Sequence, residues 1–230
     1  MRFMSNQQIS IITGTLNRCY LLSQLISNTV DNNERLELIL VDGGSIDGTI
    51  EFIRNLNHRR IKLIEYSQRS SYPHFMNLGI KNATHDLICQ WNDDVIMENN
   101  WQEVFNEIDD SDIYLFAWHN QGESGWHLHN QSDIGGEVVM NYGIYKRHVF
   151  EQAGLYNMSY KYYCADGEMS LRAYCSNFKL KNLHNIHVVV LPEEKRAICH
   201  KPDMELYYSI IQKYHSGNID RNVEYLQCKN

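Results

Sequence analysis

The chain has 230 residues, of which 43% are hydrophobic and 21% charged, and this is the composition of an ordinary globular domain. Its length is sufficient for one well-buried domain. The formal net charge of −7 argues against a general binder of nucleic acids or anionic membranes, because such proteins present basic surfaces. The sequence contains neither an apolar run of membrane-span length nor a signal-peptide core, so we expect a cytoplasmic protein, or one peripheral to a membrane.

The cysteines indicate a reducing compartment. No two of them form a CxxC pair, so a zinc site is not expected, and we interpret them as reduced thiols. The six are scattered along the chain: Cys19, Cys89, Cys164, Cys175, Cys199 and Cys228.

The first part of the chain alternates between strand and helix patterns. Four apolar, largely β-branched runs predict buried strands: 8–14, 36–41, 61–66 and 86–91. Three stretches with helical spacing lie between them: 20–30, 46–56 and 71–83. Ser45 or Asp47 could cap the second helix, and Pro73 fits the first turn of the third. Strands that alternate with helices in this way indicate βαβ units and a parallel sheet.

The second part has a mixed pattern. Further strands are predicted at 112–118, 137–145, 178–183 and 186–191. Helices are predicted at 146–152, 169–175 and 204–214, and residues 96–101 have the pattern of a helix entry. The polar stretch 119–136, rich in glycine and histidine, is predicted to be a functional loop because loops of this length are seldom idle.

Acidic residues recur where predicted elements end or begin. Asp42 follows the second strand, Asp93 and Asp94 follow the fourth, and Asp166 and Glu168 open a late helix. The carboxyl ends of parallel strands share one edge, so the first three acids should converge there, where a Mg²⁺ or Mn²⁺ ion could bind phosphates. The alternative is that the acids cap helices, Asp93 and Asp94 the helix after them and Asp166 the late helix.

The stretch Asp42-Gly43-Gly44-Ser45 suits the recognition of ribose hydroxyls. It combines a carboxylate acceptor with glycines that let a ligand approach the backbone closely. The same letters also make an ordinary turn, so the stretch is informative only together with the other motifs.

Five segments in order resemble the family-two glycosyltransferases, whose fold is called GT-A. They are Ile9-Ser-Ile-Ile-Thr-Gly-Thr-Leu-Asn-Arg18, Ile39-Leu-Val-Asp-Gly-Gly-Ser-Ile-Asp-Gly-Thr49, Asn77-Leu-Gly-Ile-Lys-Asn-Ala83, Asn92-Asp-Asp-Val95 and Asp166-Gly-Glu-Met-Ser-Leu-Arg172. The resemblance implies one α/β, Rossmann-like GT-A domain over 1–230, with a mostly parallel central sheet flanked by helices and a mixed second half. Within it we expect a nucleotide-binding half at 8–95, an acceptor-binding half at 96–215 and a loose tail at 216–230.

The resemblance implies a metal-dependent, inverting transfer of a sugar, by analogy from a UDP-hexose, to a hydroxyl of a glycan or glycolipid, with no nucleic-acid partner. Asp94 and His200 would bind Mn²⁺ or Mg²⁺, and Asp166 would be the general base. A loop or buried histidine is the alternative for His200. The donor would be bound by Thr15, Asn17, Arg18, Asp42, Gly44, Asn77, Asn92 and Asp93.

The sequence departs from the family pattern at four positions. Gly14 stands where the family usually has proline, and Leu16 stands where it often has an aromatic residue. Asn92 replaces the first acid of the acidic motif, and Ala165 replaces a glutamate. These departures leave fewer negative charges near the metal and weaken the stacking expected on the base. They also make Glu168 a second candidate for the base.

Trp126, His127 and Glu168 are the candidates for acceptor binding, because aromatic faces stack on sugar rings. The loop that holds Trp126, His127 and His129 could instead be simply solvated. Three nearby tyrosines could line the pocket or pack the core: Tyr160, Tyr162 and Tyr163.

Two other functions fit parts of the pattern. A nucleotidyltransferase acting on sugar phosphates would also carry acids at the sheet edge. Such an enzyme should have a basic, glycine-rich phosphate loop near the first strand, and residues 14–18 match that loop poorly. A non-catalytic carbohydrate-binding relative would explain Asn92 and Ala165. The tryptophan motif of processive synthases is absent, which favours a single-addition enzyme. The donor base and sugar, the acceptor, the linkage and the oligomeric state stay open.

Overall fold

The computed structural model describes residues 7–66, 70–127, 142–192 and 201–215. They form one α/β domain in which helices cover both faces of a central sheet. The strands are β1 (Ile9–Thr15), β2 (Leu36–Asp42), β3 (Ile61–Glu65), β4 (Leu87–Gln90), β5 (Val95–Met97), β6 (Ile113–Asn120), β7 (Gly143–Lys146) and β8 (Leu180–Val190). The helices are α1 (Cys19–Asn28), α2 (Thr49–Leu56), α3 (Tyr72–Asn82), α4 (Trp101–Glu107), α5 (Arg147–Ala153), α6 (Ala165–Cys175) and α7 (Lys201–His215).

The eight strands form one mixed sheet in the order β3-β2-β1-β4-β7-β6-β8-β5. Strands β3, β2, β1 and β4 are parallel to their neighbours, as the βαβ pattern predicts. Beyond β4 the direction changes, because β7 is antiparallel to both β4 and β6. Strand β8 is parallel to β6, and the short β5 is antiparallel to β8 at the far edge.

Side chains alternate between two cores because successive residues of a strand point to opposite faces of the sheet. Ile11 packs into the first core, together with residues of α1, α2 and α4. Ile12 packs into the second, with residues of α3, α5, α6 and α7. The contact between α3 and β1 is so close that a Cβ atom on Gly79 would lie 2.0 Å from Cγ2 of Ile12. Packing on both faces therefore holds β1 firmly in place.

The region after β4 differs from its prediction. Residues 95–97 form a strand, and α4 begins only at Trp101. The side chain of Asn100 caps α4 by accepting a hydrogen bond from the Glu103 N–H at 3.1 Å. The idea that Asp93 and Asp94 cap this helix is therefore wrong, because the chain first passes through β5.

Other boundaries also moved. The residue before α2 is Gly48, with φ of 90°, so neither Ser45 nor Asp47 is the N-cap residue. Oδ1 of Asp47 nevertheless accepts the N–H of Thr49, the first residue of α2, at 3.1 Å. The two late strands are one continuous strand, β8, with an irregular register against β6 between Phe116 and Ala117. Pro73 lies in the first turn of α3, as its position in the sequence indicates, and the Ser71 hydroxyl caps this helix by accepting the His74 N–H. Within the ranges described above, no helix is long and apolar enough to cross a membrane.

Candidate functional site

The carboxyl ends of β1, β2 and β4 meet at one edge of the sheet. Thr15 is the last residue of β1 and pairs in register with Asp42, the last residue of β2. The Trp91 N–H, just beyond β4, donates to the Ile12 carbonyl at 3.0 Å. The Thr15 hydroxyl donates to Oδ2 of Asp93 at 2.9 Å, so the segment after β4 is joined to the end of β1. Asp42 and Asp93 therefore lie at the same edge of the sheet, as predicted.

The Asp42 carboxylate organises the turn that follows it. It is fully buried, and its Oδ1 accepts the N–H groups of Gly44 and Ser45, each at 2.8 Å. Its Oδ2 accepts the Ser45 hydroxyl. Gly44 has φ of 90°, a conformation that glycine adopts at little cost. Asp42 therefore fixes the shape of the loop that follows β2 at this edge of the sheet.

Asn17 joins the loop after β1 to the loop after β2. Its side-chain oxygen accepts the Ile46 N–H at 2.8 Å, and its own N–H donates to Ser45 Oγ at 2.8 Å. Arg18 follows at the N-terminal end of α1, and only 7% of it is exposed. Two of the predicted donor residues, Asn17 and Gly44, thus belong to one hydrogen-bonded rim.

Asp94 lies where this rim approaches the second half of the sheet. It is 9% exposed, and its carbonyl accepts the Leu191 N–H at 2.7 Å, just beyond β8. Asn92, half-buried beside it, accepts the Val95 N–H with its carbonyl at 3.3 Å and so closes the turn. The loop of acidic residues is held between β1 on one side and β8 on the other.

The carboxylates of Asp93 and Asp94 have the chemistry that Mg²⁺ or Mn²⁺ prefers, since both are hard oxygen donors. In the part of the chain that the structure describes, no group of three or more potential ligand side chains converges. Two adjacent carboxylates still fit a metal whose remaining positions are filled by phosphate oxygens and water, a common arrangement for Mg²⁺. His200, the other predicted ligand, lies outside the described residues.

Asp166 is the second residue of α6 and is partly exposed. Burial raises the pKa of its carboxyl above the usual range, although the N–H groups of Gly167 and of Asp166 itself act in the opposite direction. Its charge in turn helps to raise the pKa of the phenols of Tyr72, Tyr145 and Tyr156, after burial as the larger cause for each. A carboxylate with a raised pKa is a stronger base, so this environment suits proton abstraction.

A polar chain connects these tyrosines to β4. The Tyr156 hydroxyl donates to Oε1 of Gln90, and Nε2 of Gln90 donates to the Tyr72 hydroxyl at 2.6 Å. Gln90 is the last residue of β4, and 1% of it is exposed. We did not predict these three residues as part of the site. The available signal was Gln90 itself, an uncharged polar residue at the end of an otherwise apolar strand.

Asn77 and Glu168 have internal partners. The Asn77 amide donates to the Tyr156 carbonyl and accepts the Tyr156 N–H, each at 2.8 Å, and Asn77 is 6% exposed. Glu168 is fully buried and accepts from Nε of Arg172 at 2.9 Å. Arg172 also donates to the carbonyls of Ala153 and Leu155. These contacts give both residues a role in holding the segment between α5 and α6, and they leave Glu168 no exposed surface for an acceptor.

Trp126 and His127 lie beside the ends of β6 and β8. The Trp126 ring stacks on His187 at a centroid distance of 4.0 Å and contacts His119 at 4.1 Å. His127 forms an isolated β-bridge with Trp118, and its ring packs on the Trp118 ring at 4.7 Å. The start of the predicted loop is therefore ordered by aromatic contacts, whereas residues 128–141, with His129, lie outside the description.

The three tyrosines with two possible roles separate by burial. Tyr160 is fully buried and belongs to the second core, so its role is to pack the core and not to line a pocket. Tyr162 and Tyr163 are half-buried and lie directly before α6. These two remain candidates for lining an acceptor pocket.

Comparison with solved structures shows the same fold. S. aureus TarS 1-349 in complex with UDP-GlcNAc superimposes with a TM-score of 0.74, covering 96% of this chain and 69% of that chain at 16% identity. The mannosyltransferase PcManGT from Pyrobaculum calidifontis, in complex with GDP-Man and Mn²⁺, superimposes with a TM-score of 0.63, covering 96% and 67% at 14% identity. A longer S. aureus TarS structure is covered over only 41% of its length. The predicted GT-A fold is confirmed.

Sequence comparison supports the same grouping. An uncharacterized glycosyltransferase of Haemophilus influenzae is 33% identical over 95 residues, which is 40% of this chain and 38% of that protein. The family model described as "Glycosyl transferase family 2" matches residues 10–194, which include the whole rim and Asp166. The resemblance seen in the motifs is thus confirmed, and the chain belongs to glycosyl transferase family 2.

Proposed function

We propose that this chain is a metal-dependent, inverting glycosyltransferase that moves a sugar from a nucleoside-diphosphate sugar to an acceptor hydroxyl. A UDP-hexose is the favoured donor, and a glycan or glycolipid is the favoured acceptor. The observation that carries the proposal is the hydrogen bond from the Thr15 hydroxyl to the Asp93 carboxylate. Thr15 also pairs in register with Asp42, so the loops after β1, β2 and β4 lie around one edge of the sheet. That edge is where open α/β sheets bind ligands.

The rim would bind the nucleoside end of the donor. The turn that Asp42 orders contains Gly43 and Gly44. The Thr15 carbonyl accepts the Gly43 N–H at 2.9 Å and the Asn17 side chain accepts the Ile46 N–H at 2.8 Å, so both residues of the loop after β1 adjoin this turn. Arg18 follows Asn17 in the chain. In this proposal Asp42 acts first by fixing the turn, and a direct bond from its carboxylate to the nucleoside stays a prediction. TarS and PcManGT, which share the fold, are described in complexes with UDP-GlcNAc and GDP-Man, so both bases enter the test.

Asp94, with Asp93 beside it and His200 as a further candidate, would hold a divalent ion. When bound, such an ion offsets the negative charge that grows on the departing diphosphate. Asp93 is oriented by the Thr15 hydroxyl, and Asp94 is anchored through its carbonyl to Leu191. The Asp93 carboxylate and the Asp94 backbone are therefore positioned by contacts that do not require the ion.

Asp166 would act as the general base. As the acceptor oxygen forms its bond to the anomeric carbon, the bond from that carbon to the diphosphate oxygen breaks, and the acceptor proton moves to the Asp166 carboxylate. Attack from the face opposite the leaving group inverts the anomeric centre. The raised pKa of Asp166 favours this proton transfer, because the carboxyl binds the proton more tightly than an exposed aspartate would.

Thermal stability and nucleotide release test the function together. We expect UDP-glucose, UDP-galactose, UDP-GlcNAc or GDP-mannose to raise the melting temperature only when Mn²⁺ or Mg²⁺ is present, because ligands that bind the native state stabilise it. We also expect slow release of UDP or GDP from the same donor. A protein that no donor stabilises, with or without metal, and that releases no nucleotide would contradict the proposal. The cytoplasmic location and single addition per acceptor remain predictions.

A further inference from the structure

Asp203 has an environment that the donor and acceptor roles do not explain. It lies in the first turn of α7, and 4% of it is exposed. Its Oδ1 accepts the Lys161 N–H at 3.0 Å. Its Oδ2 accepts the N–H groups of Tyr162 and Tyr163, at 2.9 and 3.0 Å. One buried carboxylate thus satisfies three consecutive backbone donors of a segment that belongs to neither a helix nor a strand.

The segment that Asp203 binds leads directly to Asp166. Residues 161–163 are followed by Cys164, which has φ of 64°, a left-handed conformation that is costly for a residue with a Cβ atom. Helix α6 then begins at Ala165, and the Cys164 carbonyl accepts the Glu168 N–H at 2.9 Å. The direction in which α6 starts, and with it the place of Asp166, therefore depends on the conformation of 161–164.

Helix α7 gives Asp203 a fixed position from which to act. Tyr207, one turn further along α7, is 3% exposed and packs against the start of α6. The fit is close, since a Cβ atom on Gly167 would lie 2.9 Å from the Tyr207 hydroxyl. The two helices thus meet at the residue after Asp166, and the carboxylate of Asp203 is attached to a packed element.

The same segment is also connected to the donor side. The Lys161 carbonyl accepts the Tyr72 N–H at 2.8 Å. The Tyr72 hydroxyl accepts from Gln90, the residue at the end of β4 that precedes the acidic loop. A hydrogen-bonded path therefore runs from α7 through 161–163 to the strand that presents Asp93 and Asp94.

We propose that Asp203 is a positioning residue of the transfer reaction: by holding the N–H groups of Lys161, Tyr162 and Tyr163, it sets Asp166 against the donor. This role rests on the function proposed above. A misplacement of about 1 Å of a catalytic group lowers a rate about 100-fold, so the loss of this contact should affect turnover strongly. Donor binding should change little, because the rim around Thr15 and Asp42 is built on the parallel strands, and the acidic loop has its own contacts from Asp93 to Thr15 and from Asp94 to Leu191.

Asp203→Asn tests the role in the full chain. The amide group keeps the size of the side chain, but its NH₂ cannot accept the N–H groups that one carboxylate oxygen now binds. We expect nucleotide release from the donor that best stabilises the wild-type protein to fall about 100-fold in kcat. The Kd of that donor with Mn²⁺, measured by calorimetry, should be unchanged. Hydrogen exchange of the amides of Lys161, Tyr162 and Tyr163 should become faster, while exchange in β1 and β2 stays the same.

Two variants complete the test. Asp203→Glu keeps the charge and both acceptor oxygens and should restore part of kcat, which also covers a failure of the Asn variant to fold. Glu205 is an exposed acid of the same helix, and its Oε1 lies 3.7 Å from Nζ of Lys201. The control variant Glu205→Gln removes this charge and should behave as wild type. An unchanged kcat in Asp203→Asn, or a donor Kd that weakens in parallel with kcat, would overturn the positioning role. If the wild-type protein itself releases no nucleotide from any donor, the proposed function fails, and the role of Asp203 in catalysis fails with it.

Discussion

The loops on the two sides of the site are held by different means. On the proposed donor side, β1, β2 and β4 are parallel, so the sheet brings the ends of these strands together, and the side chains of Thr15, Asn17 and Asp42 then order loops that are already adjacent. On the other side, residues 154–164 are held by side chains from elsewhere: Asn77 binds Tyr156, Arg172 binds the carbonyl of Leu155, and Asp203 binds 161–163. A single substitution should therefore disturb the second side more than the first.

The largest effect is expected for Asp166→Asn. Loss of a general base lowers a rate about 100- to 10,000-fold, so transfer and donor hydrolysis should fall by this amount. Donor affinity should persist, because the rim residues lie on other elements. Single-turnover nucleotide release and calorimetry with the same donor measure the two quantities. Undiminished turnover would remove Asp166 from its role and leave the acceptor side without a base.

Asp94→Asn should have the next largest effect, on the donor side. A bound metal ion contributes several kcal/mol to stabilising the transition state, so turnover at saturating donor should fall about 100-fold or more. The dependence on Mn²⁺ should move to higher concentrations. Glu98→Gln is the matched control, since Glu98 is exposed and lies four residues further along the chain. Equal losses in the two variants would show that a general loss of charge, and not a metal site at Asp94, is responsible.

The donor side could be predicted largely from the sequence, and the physical reason is local. Strands β1, β2 and β4 are short apolar runs with polar ends. The carboxyl ends of neighbouring parallel strands lie at one edge of the sheet, so these polar residues can be placed together even when no distant contact is known. Asp42, Asp93 and Thr15 could be placed in this way. What could not be predicted was how Asp42 uses its oxygens, because the bonds to Gly44 and Ser45 depend on the conformation of the turn.

The other side could not be predicted in the same way, because its contacts join residues far apart in the chain. Asn77 and Tyr156 are 79 positions apart, and Lys161 and Asp203 are 42 apart. Asn77 matches a family motif and was therefore assigned to the donor, although its amide binds the backbone of Tyr156. Residues 96–101 had the pattern of a helix entry, but residues 95–97 pair with β8 and form a strand. Helical spacing in a short apolar segment does not exclude an edge strand.

Glu168→Gln examines the stability of the second side. The ion pair with Arg172 is buried, and removing one partner of such a pair costs about 3–5 kcal/mol because the other charge stays buried. Unfolding by urea should show this loss. The corresponding change in the exposed pair of Arg54 and Glu65, Glu65→Gln, should cost at most about 1 kcal/mol. Similar costs for both variants would contradict the view that side-chain contacts hold the segment between α5 and α6.

Gly79→Ala examines the packing of the first side. The new methyl group would meet Ile12 of β1, and overpacking in a core costs about 1–3 kcal/mol. The effect should be on the free energy of unfolding, with donor affinity retained in the fraction that is folded. Ile12→Ala should cost less stability in the Gly79→Ala background than in the wild type, because it removes the Cγ2 atom that the new methyl group meets. Equal costs in the two backgrounds would mean that α3 does not pack on β1 as closely as described.

The smallest effect concerns pH and Asp166. Burial raises the pKa of this carboxyl in the folded state, so the folded protein binds the proton more tightly than the unfolded chain, whose aspartates have a pKa of about 3.9. The stability that this proton contributes is complete below the unfolded pKa and is lost as the pH rises through the folded pKa. Asp166→Asn has no such loss, so its melting temperature should gain on that of the wild type between acidic and neutral pH. If the difference in melting temperature between Asp166→Asn and the wild type does not change with pH, the pKa of Asp166 is not raised by folding. A raised pKa could then not explain its action as a base.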